Sequence, residues 1–95
     1  MRERVKEVRD KIVPVLQRYD VVRAALFGSF VRGEMGEGSD IDILVEFGGE
    51  KSLLDLVALK MELEEILGRD VDVLTYKSLH PLMKSAVLKE QVVVL

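Results

Sequence analysis

The sequence predicts a small α/β (α+β) domain in which a mixed sheet of three or four strands packs against helices. Two observations lead to this prediction. Amphipathic segments with helical spacing alternate along the chain with short, β-branched apolar runs that have the length of strands. The 95 residues, of which 48% are apolar, allow one hydrophobic core, so we expect a single domain over residues 1–95.

Composition excludes several classes of protein. The chain has no cysteine, so neither a disulfide framework nor a thiolate metal site can form. The net charge is −3 and no basic cluster is interleaved with aromatic residues, so we expect no direct nucleic-acid binding. No apolar run approaches the length of a membrane span, and the first residues lack an apolar signal core. We therefore expect a cytoplasmic protein without a membrane partner.

The first half of the chain predicts two helices and two strands. Apolar residues at helical spacing indicate a helix over about residues 2–18, with a kink or break at Pro14 because proline removes a backbone donor. Residues 21–27 form a short apolar run typical of a buried strand. We expect Ser29 to cap a short helix that extends to about Gly33, and a second strand over residues 40–47.

The second half predicts two further helices around a third strand. A capping-box pattern at Ser52 opens a helix over about residues 52–67, and residues 70–74 form a strand candidate. A last helix covers about residues 78–89. The apolar end, residues 91–95, is either a closing strand or a surface that a partner chain covers.

Aspartates interrupt two of the apolar strands. Asp40 and Asp42 are two residues apart, so their side chains share one face of the strand, where they repel each other and are costly to bury. A divalent cation would remove both penalties, and Mg²⁺ is the natural candidate because it takes oxygen ligands. Asp72 lies in the third strand, where an isolated aspartate is ordinarily an edge-strand or cap residue. Asp70 lies on the same face of this strand and is the other candidate for the carboxylate that the third strand supplies. We favour Asp72 because valines flank it directly.

A glycine-serine turn follows the first strand. Gly28 allows a sharp turn and a close approach to a ligand, and the N–H groups that follow, with the Ser29 hydroxyl, could hold a phosphate. An ordinary turn is the common alternative. Arg32 either reaches a phosphate or lies on the surface. His80, the single histidine, is not expected to be a ligand.

These residues form an ordered pattern. The segment from Gly28 to Gly33, then five residues, then the segment from Ser39 to Asp42, resembles the signature of the DNA polymerase beta-like nucleotidyltransferase superfamily. The pattern is most similar to the minimal nucleotidyltransferase branch (MNT), the antitoxin half of HEPN/MNT toxin–antitoxin modules. The element order and the triplet Val71-Asp72-Val73 extend the resemblance to nearly the whole chain. It implies the polymerase-beta-like nucleotidyltransferase fold.

The resemblance also implies roles for single residues. Asp40 and Asp42 match the first two metal-binding carboxylates, and Asp72 matches the third, which acts on the incoming nucleophile. These three would be the catalytic residues and would hold two Mg²⁺ ions, with ATP as the substrate.

The phosphate-binding positions can be carried over in the same way. Gly28 and Ser29 match the pair that binds the nucleotide's phosphates, and Arg32 and Ser39 match positions that support the loop and the phosphates. Val31 departs from the branch, which often has alanine there, by a small change of volume.

The resemblance implies transfer of AMP from ATP to a hydroxyl, typically of tyrosine, on a cognate HEPN ribonuclease toxin. The length agrees, because 95 residues leave no second domain to enclose a small acceptor. Two alternatives remain: a catalytically idle module that neutralises the toxin by binding it, and a nucleotidyltransferase that acts on a small molecule. The sequence leaves open the nucleobase and whether the chain forms homo- or hetero-oligomers.

Overall fold

The computed structural model describes residues 3–33 and 40–95 and contains four helices and four strands in these ranges. In chain order the elements are α1 (Glu3–Arg18), β1 (Val21–Phe27), α2 (Ser29–Arg32), β2 (Ile41–Phe47), α3 (Leu53–Leu67), β3 (Val71–Thr75), a 3₁₀ turn (Tyr76–Ser78), α4 (Pro81–Glu90) and β4 (Val92–Val93). None of the helices in these two ranges has the length and apolar character needed to cross a membrane.

The four strands form one mixed sheet in the order β3-β2-β1-β4. β1 is antiparallel to both of its neighbours, β2 and β4. β2 and β3 are parallel, and α3 is the crossover between them. The predicted fold class is therefore confirmed, and the apolar tail is a closing strand.

Side chains on the two faces of the sheet belong to two apolar clusters. On one face, Ile41, Ile43 and Val45 pack in the larger cluster with residues of α1 and α3. On the other face, Leu44 packs in a smaller cluster with Phe27 and with residues of the 3₁₀ turn and α4. Since side chains alternate along a strand, Asp42 lies on the face of Leu44 and α4.

The predicted helix α3 begins and ends as its local sequence requires. The Ser52 hydroxyl accepts a hydrogen bond from the Asp55 N–H at 3.3 Å, and the Asp55 carboxylate accepts one from the Ser52 N–H at 2.9 Å. This reciprocal pair is the predicted capping box. Gly68 ends the helix at φ 67°, a conformation that glycine adopts without strain.

Two details differ from the sequence prediction, and a third was not predicted. Helix α1 is not broken at Pro14, because the buried residues on either side, Ile12 and Val15, keep the helix packed against the sheet. Helix α4 begins at Pro81 rather than near residue 78, because a 3₁₀ turn comes first. The His80 side chain caps α4 by accepting a hydrogen bond from the Leu82 N–H at 3.1 Å.

Replacing Leu63 by alanine tests the packing of α3 on the sheet. The Leu63 side chain is 0% exposed, and we expect its loss to lower the free energy of unfolding by about 2–4 kcal/mol because it leaves a cavity. Leu54→Ala is the matched control, since Leu54 lies on the same helix and is 78% exposed; its effect should stay within about 0.5 kcal/mol. Urea denaturation measures both, and equal effects would contradict this packing.

Candidate active site

Three of the predicted site residues meet at one end of the strands. The end of β1 lies beside the start of β2, where Phe27 pairs with Asp42. The start of β3 lies on the other side of β2, where Asp42 pairs with Asp72. Because residues paired in register point to the same face, the Asp42 and Asp72 carboxyl groups are neighbours. The mixed topology thus brings together residues 28, 42 and 72, which are distant in the sequence.

Gly28 is packed directly against the Asp42 carboxyl group. A Cβ atom built on Gly28 would overlap Asp42 Oδ2 and would lie 3.2 Å from Asp42 Cγ. Gly28 also has φ 79°, which L-residues with side chains rarely adopt. Position 28 therefore requires glycine for two independent reasons, the backbone conformation and the space that the carboxyl group fills.

The environment of Asp42 disfavours its charged form. Burial of the carboxyl group has the largest effect, and the negative charge of Asp72, a hydrogen bond with Asp72 and the charge of Asp40 add to it. Together they raise the pKa of Asp42 from 3.8 to about 6, against a smaller opposing effect of the Arg32 guanidinium. Two adjacent carboxyl groups that share a proton are a common device of active sites.

Asp40, the first of the predicted carboxylates, is less closely engaged. Asp40 is exposed and precedes β2, and it acts on Asp42 through its charge. In the described part of the chain, no three acidic or histidine side chains form a ready-made cluster for a metal ion. The structure thus contains a carboxyl pair with a third acid near it. The pair suits a hard cation, because its oxygens are the ligands that Mg²⁺ prefers and a cation would relieve the repulsion.

The structure separates the two candidates for the third carboxylate. Asp72 pairs with Asp42 in register, and its carboxyl group is among the causes of the raised pKa of Asp42. Asp70 lies before β3 begins and takes part in the sheet through its backbone carbonyl, which accepts a hydrogen bond from the Ile41 N–H at 3.1 Å. We therefore keep Asp72 as the candidate.

The glycine-serine turn leads into α2 in a way that differs from the prediction. The cap of α2 is Gly28, whose carbonyl accepts hydrogen bonds from the N–H groups of Val31 (3.1 Å) and Arg32 (3.2 Å). Ser29 is the first helical residue, so the prediction that its side chain caps the helix is wrong. The Ser29 side chain remains half-buried beside the turn. The predicted position Ser39 lies outside the described residues.

A residue that the sequence analysis missed completes the turn. The Glu90 carboxylate accepts a hydrogen bond from the Gly28 N–H at 2.9 Å. The same carboxylate accepts hydrogen bonds from Arg32 at 3.0 Å and 2.9 Å, one on each oxygen. Arg32 therefore lies on the surface, which was one of its two predicted alternatives, and forms an ion pair there. A glutamate in the last turn of a helix, where the helix dipole disfavours it, was the available signal.

A cavity of about 550 Å³ lies away from these residues, at the other end of β2 and β3. Its lining comes from residues 45–51 and 75–77 and includes none of the predicted site residues. The carboxyl pair instead lies at the end of the sheet where β2 and β3 begin. Asp72 is exposed there, on the edge strand β3.

Comparisons with known proteins agree with this geometry. Residues 5–94 match the family described as "Nucleotidyltransferase domain". A protein of Methanocaldococcus jannaschii, provisionally described as a protein adenylyltransferase, is 60% identical over 91 residues, which cover 96% of this chain and 98% of that protein. The protein adenylyltransferase MntA of Thermococcus cleftensis is 44% identical over 78 residues, which cover 82% of this chain and 79% of that protein.

Solved structures show the same fold. A minimal nucleotidyltransferase structure superposes with a TM-score of 0.82 at 38% identity, covering 95% of this chain and 92% of that one. A crystal structure of a toxin–antitoxin with AMP-PNP superposes with a TM-score of 0.81 at 25% identity, covering 92% of this chain and 72% of that one. Because the family match spans residues 5–94 and the relatives cover nearly the whole chain, the chain belongs to the nucleotidyltransferase domain family and is a nucleotidyltransferase, as its motif predicts.

Proposed function

We propose that the chain transfers AMP from ATP, with Mg²⁺, to a tyrosine hydroxyl of a HEPN ribonuclease toxin and so acts as its antitoxin. The observation that carries the proposal is the Asp42–Asp72 carboxyl pair, packed on the Gly28 turn at an open edge of the sheet. The relatives support it, since one is named protein adenylyltransferase MntA and a related structure is a toxin–antitoxin with AMP-PNP.

In this proposal Asp40, Asp42 and Asp72 hold the metal ions. Asp42 and Asp72 are paired on neighbouring strands, and the negative charge of Asp40 helps to raise the pKa of Asp42. A Mg²⁺ ion held by these residues would neutralise charge on the phosphates and lower the pKa of an attacking hydroxyl. The raised pKa of Asp42, about 6, supports this assignment, because a cation would offset the burial and the negative charges of Asp72 and Asp40 that cause it.

In the same proposal, the Gly28–Ser29 turn binds the triphosphate of ATP. Gly28 brings the backbone close to the carboxyl pair, and the half-buried Ser29 side chain lies beside it with a hydroxyl that can donate to a phosphate oxygen. The acceptor oxygen bonds to the α-phosphorus, the bond to the β-phosphate oxygen breaks, and pyrophosphate leaves. In this proposal Asp72 receives the hydroxyl proton, and Ser39 remains a predicted supporting residue.

The open edge explains why a protein would be the acceptor. Asp72 is exposed on β3, the edge strand, so a hydroxyl on another protein can reach it without entering a pocket. A small acceptor would need walls that position it, and the cavity of about 550 Å³ is lined by none of the site residues.

Transfer can be tested with ATP labelled at the α- or the γ-phosphate, incubated with Mg²⁺, the chain and its candidate HEPN toxin. We expect label on the toxin from the α-position alone. Label from the γ-position would mean phosphoryl transfer and would overturn the proposal. A tight complex without label would favour the idle binding module.

Asp42→Asn should reduce AMP transfer by at least about a hundredfold, because it removes a charged metal ligand at the reacting phosphate. Asp70→Asn is the control, since it makes the same change at an exposed acid just before β3 that lies outside the carboxyl pair. The initial rate of transfer measures both variants. A loss in Asp70→Asn equal to that in Asp42→Asn would reject our choice between Asp70 and Asp72.

The same residue predicts how stability depends on pH without metal. The pKa of Asp42 is raised from 3.8 to about 6 in the fold, so the stability that its neutral form contributes is lost as the pH rises between these values. Asp42→Asn should therefore melt at a higher temperature than the wild type above about pH 6 and show no such gain near pH 4. Thermal melts in EDTA measure this, with Asp70→Asn as the control. A gain that is independent of pH would contradict the assignment.

A further inference from the structure

Glu90 connects the last turn of α4 to the glycine turn. Its carboxylate accepts one hydrogen bond from the Gly28 N–H and one on each oxygen from Arg32, at 2.9–3.0 Å. Charge-assisted bonds of this kind are strong and directional. The three bonds join the cap of α2, the last residue of α2 and the last residue of α4.

The position of Glu90 follows from the pairing of the strands. β4 pairs antiparallel with β1, with Ala25 opposite Val93 and Leu26 opposite Val92. β4 begins two residues after Glu90, the last residue of α4. The pairing thus brings the end of α4 close to the end of β1, where the Glu90 carboxylate reaches the Gly28 N–H.

The location is electrostatically unfavourable for α4 itself. The C-terminal end of a helix carries partial negative charge, which repels a carboxylate in its last turn. Glu90 also lies close to the acidic site, since the Gly28 N–H that it binds belongs to the residue that packs on Asp42. The positive charge of Arg32 and the Gly28 N–H compensate the repulsion from the helix end and from the acidic site. The Glu90 carboxylate is therefore stabilised by its contacts with this turn.

Glu90 and Asp42 constrain Gly28 from two sides. The Asp42 carboxyl fills the space where a Cβ would be, and Glu90 fixes the direction of the N–H. The Phe27–Gly28 peptide, which carries this N–H and leads into the turn, is therefore held in one orientation. The Ser29 hydroxyl and the following N–H groups take their positions from that peptide.

We propose that Glu90 is a positioning residue of the nucleotide site: it holds the Gly28 peptide and the Arg32 guanidinium so that the Gly28–Ser29 turn is preformed for the triphosphate. This inference rests on the proposed function, in which that turn binds ATP. Of the two roles that the motif implies for Arg32, it keeps support of the loop and drops contact with the phosphates. Arg32 acts through Glu90 on the turn, with no direct contact to a phosphate.

The test is the binding of ATP with Mg²⁺ by isothermal titration calorimetry, together with kcat and KM for AMP transfer to the toxin. Glu90→Gln loses the ion pair and keeps one acceptor oxygen for the Gly28 N–H. We expect the Kd for ATP and the KM to rise about tenfold, with kcat changed by no more than about twofold, since ground and transition states lose the same interaction.

Glu46→Gln is the matched control. Glu46 forms an ion pair with Arg23 at 3.0 Å on the same sheet, with both side chains about half exposed. It lies outside the site, so Kd and KM should equal those of the wild type. A melting temperature for each variant separates a binding defect from unfolding, and Arg32→Gln tests the same pair if Glu90→Gln folds poorly.

The double variant separates a positioning role from direct contact. If Arg32 acts through Glu90, Arg32→Gln should match Glu90→Gln, and combining them should add nothing. Additive losses would show that Arg32 contacts the phosphates and would overturn the inference. Unchanged or tighter ATP binding in Glu90→Gln would also overturn it. Failure of the proposed function is distinguishable, because the wild type would then bind ATP without transferring AMP; a wild type that does not bind ATP would refute both.

Discussion

The contact between the Asp42 carboxyl group and Gly28 determines the rest of the site. It forces position 28 to lack a side chain and brings the backbone of the turn against an acid that already faces Asp72. The penalty is visible in the raised pKa of Asp42, which burial and two neighbouring acids cause. Acids with a strongly shifted pKa are concentrated at functional sites. This arrangement suits the binding of a cation between phosphates and carboxylates.

The mixed sheet is what makes this contact available. Antiparallel pairing of β1 with β2 brings the end of β1 to the start of β2. Parallel pairing of β2 with β3 brings the start of β3 to the same end of the sheet. Neither an all-parallel nor an all-antiparallel order of these three strands would place Gly28, Asp42 and Asp72 side by side. The large apolar cluster lies on the opposite face, so its packing against α1 and α3 is independent of the acidic residues.

Local rules were enough to predict most of the elements, because each depends on neighbours in the sequence. The capping box at Ser52 and the period-two placement of Asp42 are of this kind. Two of the failures involve distant contacts. Pro14 leaves α1 unbroken because tertiary packing outweighs one missing hydrogen bond. Glu90 was missed because its partners, at position 28 and in α2, lie 62 and 58 residues away.

Asp72 shows that an ordinary structural explanation and a functional one can hold for the same residue. β3 is an edge strand, and an exposed aspartate on an edge is well tolerated because it discourages pairing with other chains. That exposure also leaves the carboxylate open to a group on another molecule, while its neighbour Asp42 remains half-buried. The two acids therefore differ in accessibility although they are paired in register. This asymmetry suits a site in which the chain supplies the nucleotide side and a docked protein supplies the acceptor.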